Sequence, residues 1–168
     1  LASDSGVYDS YNTPHRKNYT IHTLAHNCIL VDGKGTRIPR EKKEPKTLES
    51  WLSEYGMANV LSHSESAGAY EIEGDLSEAY SETCRSVTRK MRFEPDRGER
   101  GILTVFDRVE PIDPSSKVTF VIHSQSEPVV DGNLIVIKGK KRELYCRVKS
   151  SAGVKISCIG GEGHRFEA

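Results

Sequence analysis

Apolar and polar residues alternate along much of the chain with a period of two, the pattern of strands that bury one face and wet the other. It is clearest where Leu144, Cys146 and Val148 interleave with Tyr145, Arg147 and Lys149. Segments of this kind predict strands over 60–62, 70–73, 86–93, 102–109, 118–123, 134–138, 144–149 and 154–159. Turn clusters separate them, among them Pro95-Asp96-Arg97-Gly98, Pro114-Ser115-Ser116 and Asp131-Gly132. A further strand over 28–31 is a short apolar run closed by Asp32-Gly33. Helical spacing occurs over 47–56, where Thr47 stands as N-cap, Leu48, Trp51, Leu52 and Tyr55 share a face, and Gly56 is the stop. The expected fold is therefore all-β, an antiparallel two-sheet β-sandwich with one short helix packed by Trp51. On an amphipathic face, that tryptophan reads more readily as core than as a platform for stacking a sugar.

Composition narrows the partners. The 168 residues read as one domain over 1–168, with 24 lysines and arginines against 24 aspartates and glutamates. No net field draws nucleic acid or an anionic membrane, so neither is an expected partner, and a polyanion would have to meet a local patch. The run over 37–45 carries Arg37, Arg40, Lys42 and Lys43, which could track an acidic glycan, although its prolines and mixed charge read first as a surface loop. No apolar run approaches the roughly 20 residues of a membrane-spanning helix. Four cysteines, Cys28, Cys84, Cys146 and Cys158, form no C-x-x-C pair and read as four buried thiols, with two disulfides as the alternative in an oxidising compartment.

The chemistry concentrates in residues 1–35, which hold His15, His22 and His26, three of the six histidines. His26 and Asn27 stand at the mouth of the strand over 28–31, a rigid place to hold a ligand or a hydrogen-bonding amide. On the residues alone, His26 reads as a half-buried histidine bonded to a carbonyl and a water, and Tyr11 as a loop aromatic. His63, His123 and His164 carry no specific signal.

Several motifs, in order, span nearly the whole chain: Asp4-Ser5-Gly6-Val7-Tyr8; Tyr11-Asn12 and Pro14-His15; Ala25-His26-Asn27 with Val31-Asp32-Gly33; Asp75, Ala79-Tyr80 and Arg85-Ser86-Val87; Val105-Phe106-Asp107-Arg108-Val109; and Gly160-Gly161-Glu162-Gly163-His164. Together they resemble the C-terminal β-sandwich part of the heparinase II/III-like polysaccharide lyases, which include relatives acting on alginate. The resemblance implies a lyase that cleaves uronic-acid-containing glycans, heparin-like or alginate-like, by β-elimination. It implies Tyr11 for proton transfer, and zinc between Asp4, His26 and a histidine upstream of this sequence. His15 and Arg16 are then placed to bind sugar carboxylates or to lower the tyrosine's pKa from its usual value of about 10. Two protein ligands do not hold a tetrahedral ion, so the third must come from elsewhere. His15 and His22 are candidates, but His22 to His26 would need a helix where the chain is heading into a strand.

The resemblance further implies that the other catalytic groups lie on an N-terminal α-helical toroid. The sequence is therefore expected to be a fragment of a longer, periplasmic or secreted protein and inactive alone. The alternative is a non-catalytic carbohydrate-binding or structural sandwich. A metal-dependent oxygenase, which would need a two-histidine-one-carboxylate triad, is held below both.

Overall fold

The computed structural model describes residues 2–3, 10, 12–37, 47–96 and 100–161, except the side chains of Trp51, Ser53 and Glu54. Among the described residues, nine strands form three antiparallel sheets and helix is confined to short pieces, so the all-β class expected from the alternation holds. The chain divides into two compact units, 31–119 and the pair of segments 1–30 with 120–168, and the division falls inside two strands, β1 (Ile29–Val31) and β6 (Val118–Phe120).

Unit 31–119 holds α1 (Leu48–Tyr55) and a four-stranded meander of β2 (Asn59–Ser66), β3 (Ala69–Asp75), β4 (Cys84–Pro95) and β5 (Gly101–Pro111), each paired with the next. The β2–β3 hairpin turns through Ala67 and Gly68, both at positive φ (51° and 77°), the paired left-handed geometry that suits the twist of a tight hairpin. Asp32 and Gly33 make the same turn (51° and 78°) after β1, where Val31 and Lys34 exchange backbone hydrogen bonds of 2.8 and 2.9 Å. Asp32 also accepts the Lys117 N–H at 2.8 Å through Oδ1 and donates its own N–H to the Lys117 carbonyl; a side-chain hydrogen bond from Ser116, and then the Lys117 N–H, hold its carboxyl below the usual range.

The meander has two chemically distinct faces. Register places Tyr70, Phe93 and Leu103 in one row and Ile72, Met91 and Val105 in the next, an apolar face that stays solvent-exposed away from the buried Val87. The other face carries Lys90, which pairs with Glu71 at 2.7 Å, and Arg92, which pairs with Glu94 at 3.2 Å. Asp107, from the Val105–Val109 motif, lies opposite Arg89 and takes both ends of its guanidinium at 2.7 and 3.0 Å, so its role here is to bind β4 to β5.

Helix α1 keeps its expected limits. Thr47 Oγ1 accepts the Ser50 N–H at 3.1 Å, and Gly56 donates back to Leu52. Its apolar face is not packed as expected: Leu48 is 72% exposed, and Leu52 and Tyr55 are exposed too. The reading of Trp51 as the packing residue, or as a stacking platform, falls on a side chain outside the described set.

The other unit contains the sheet of β7 (Val129–Asp131), β8 (Leu134–Lys138) and β9 (Glu143–Arg147). Ile135 and Ile137 are buried, as the alternation requires. The predicted strand over 154–159 is absent: those residues form no ladder. Of the four cysteines expected to be buried, Cys84 is, Cys28 and Cys146 are half-buried and Cys158 is exposed, all as free thiols. Burial pushes the Cys146 thiol pKa up.

Candidate functional site

The segment leading into β1 folds as two short helical turns, where sequence reading expected loop and strand. Thr13 starts the first turn: its hydroxyl accepts the Arg16 N–H at 3.3 Å, and Pro14 fills a helical position where no N–H is needed. The turn widens to a π-helix over Arg16–Thr20, closed by Ile21 N–H onto the Arg16 carbonyl at 3.3 Å. A 3-10 turn, Thr23–Ala25, follows, with His22 and His26 as its extended caps. No α-helix carries His22 and His26 on one face.

Turns this short leave carbonyls without intrahelical partners. Three histidine rings satisfy them. His22 Nε2 lies 3.0 Å from the Lys17 carbonyl, His26 Nε2 3.0 Å from the Thr20 carbonyl, and His123 Nε2 2.8 Å from the Leu24 carbonyl. A carbonyl only accepts, so each Nε2 carries a proton, and in the neutral ring the lone pair is left on Nδ1. A ring oriented by an N–H to a backbone carbonyl is the arrangement in which histidine ligates metal through its other nitrogen. His26 therefore fits the chemistry of one zinc ligand.

Asn27 joins three segments. Its side-chain N–H donates to the Ser3 carbonyl at 3.3 Å and its oxygen accepts the His123 N–H at 2.7 Å. Ser3 N–H donates to the His123 carbonyl at 3.0 Å, and Ala2 bridges to Ser124. The residue before Asp4 is thus held by the residue after His26.

Asp4 and Tyr11 themselves lie outside the described residues. Among those described, no group of three or more metal-ligating side chains occurs. His15 is half-buried, its ring 5.5 Å from that of Tyr19 at 42°, one helical turn on. Arg16 is half-buried on the same turn. His123, which carried no signal in the sequence, and Ser3 are the participants that sequence reading missed. The Asn27–His123 contact spans 96 residues, and nothing local announces it.

The family model described as "Heparinase II/III-like, C-terminal" matches residues 1–162. No curated protein matches the chain.

Proposed function

The chain belongs to the heparinase II/III-like family, as its C-terminal domain, and on that premise we propose that it works as part of a polysaccharide lyase cleaving uronic-acid-containing glycans by β-elimination. The observation that carries this reading is the Asn27 clamp, which ties the residue before Asp4 to the residue after His26. In the reaction a base takes the proton beside the sugar carboxylate. The released electron pair forms a carbon–carbon double bond, the glycosidic oxygen leaves, and that oxygen takes up a proton. Tyr11 exchanges the proton, while His15 and Arg16, on the turn that follows, bind the sugar carboxylate; a neutralised carboxylate makes the adjacent proton easier to remove.

Asp4 and His26 would hold a zinc ion together with a third ligand from outside this sequence. When bound, zinc would supply a fixed positive charge there. A helical domain of the same protein provides the remaining catalytic groups. The protein works in the periplasm or outside the cell, where acidic glycans such as heparin-like chains or alginate are met.

The test is made on the full-length protein. Tyr11→Phe should lower kcat by about 100-fold or more, the usual worth of a positioned proton-transfer group, with KM little changed. His26→Ala should reduce bound zinc, measured by elemental analysis. Full turnover in Tyr11→Phe would favour a non-catalytic glycan-binding sandwich instead.

A further inference from the structure

Beyond the candidate site, the strongest concentration of one charge among the described residues is the tip of the β8–β9 hairpin. Lys138 ends β8, the Gly139 N–H donates to the Arg142 carbonyl at 2.8 Å to close the turn, and Lys140 and Lys141 occupy its apex. Lys138, Lys140, Lys141 and Arg142 are all exposed, and among the described residues no ion pair engages the three lysines. In a chain with 24 positive and 24 negative side chains, this cluster is a local field of one sign rather than a sample of the average.

An aromatic platform stands beside it. Tyr145 is 63% exposed and shares a face of β9 with Glu143, which lies opposite Lys138 in the ladder. The Tyr145 hydroxyl donates to the Glu143 carboxylate, which restricts the ring. Cations beside an exposed ring suit a ligand with anionic groups and apolar sugar faces.

The tip is also tied to the candidate site. Ser126 Oγ donates to the Lys138 carbonyl at 2.7 Å, Ser124 Oγ donates to the Ser126 carbonyl at 2.7 Å, and Ser124 is the bridge partner of Ala2. We infer that the β8–β9 tip, through Lys138, Lys140, Lys141, Arg142 and Tyr145, is a binding subsite for an acidic polysaccharide, holding a stretch of the polymer away from the residues that cleave it. The identity of the ligand rests on the function proposed above; the charge and its position do not.

The experiment compares the full-length protein with Lys140→Gln/Lys141→Gln and with Lys140→Arg/Lys141→Arg. Binding to size-fractionated heparin, to alginate and to a DNA duplex is measured over a range of salt. Release of counterions from a linear polyanion scales with the contacts made, at about one unit of log–log salt slope per lost cation. The glutamine variant should lose about two units of slope on the glycans and bind them roughly tenfold more weakly, and the arginine variant should restore both. For cleavage of long chains, KM should rise with kcat unchanged. An unchanged salt slope overturns the subsite, and so does tighter binding to DNA with the same lysine dependence. The binding arm needs no turnover, so a protein that holds glycan through this tip yet never cleaves it would uphold the subsite and overturn the lyase reading.

Discussion

One amide side chain touches three segments of the candidate site. Both ends of Asn27 are used, one on Ser3 and one on His123, so Asn27→Ala removes two hydrogen bonds and leaves a half-buried N–H without its acceptor. The expected cost is about 2 kcal/mol, which lowers the thermal midpoint. Differential scanning calorimetry of the full-length protein checks it, and an unchanged midpoint would remove Asn27 from this role. Asn27→Asp separates the two contacts, because a carboxylate keeps the acceptor for His123 and loses the donor to Ser3. The three histidine rings act similarly, completing short turns whose carbonyls would otherwise lack partners.

At the scale of elements, the connection from β3 to β4 depends on Asp75, whose Oδ1 accepts the Ser77 N–H at 2.9 Å and the Ser77 hydroxyl at 2.5 Å; the Ser77 oxygen in turn accepts the Val87 N–H. The Ser77 hydroxyl, and then its N–H, hold the Asp75 carboxyl below the usual range. With the folded pKa below the unfolded one, the unfolded chain binds more protons between the two values. Stability therefore rises with pH across that window, is fully present above the unfolded value of about 4, and is lost as pH falls through the folded value. Denaturant titrations should show D75N less stable than the parent near neutrality, with the difference narrowing below about pH 4; a constant difference would assign the effect to packing. Elements of this kind are legible where apolar and polar residues alternate. Ile135 and Ile137 announce β8, and Thr47 and Gly56 bound α1. Alternation specifies a face but not a neighbour, so 154–159 has a strand's pattern without a partner, and β7, exposed at all three positions, has a partner without the pattern. The π-helical turn went unread because its apolar positions are too few to show a period. The clamp went unread because it joins residues far apart in the chain.

At the scale of the whole molecule, the family was legible from motifs spread over the length of the chain, and the local charge that a neutral composition requires of a polyanion binder lies in the KGKKR tip rather than only in the run over 37–45. The described chain also divides its contacts by distance in sequence. The β2–β5 meander pairs each strand with the next, while the unit that carries the candidate site joins 1–30 to 120–168 across everything between. This has a consequence in time. Local hairpins close in microseconds, whereas contacts between distant segments wait for a long loop to close, although each doubling of loop length adds only about 0.6 kcal/mol. In pulse-labelling hydrogen exchange during refolding, the amides of β3 and β4 should gain protection before those of Ser3, Val121 and His123, which depend on the distant pairing; simultaneous protection would contradict this order. On the ribosome the histidine-bearing segment emerges before His123 does, so the contacts of Asn27 and of the Leu24 carbonyl with His123 wait for the later segment.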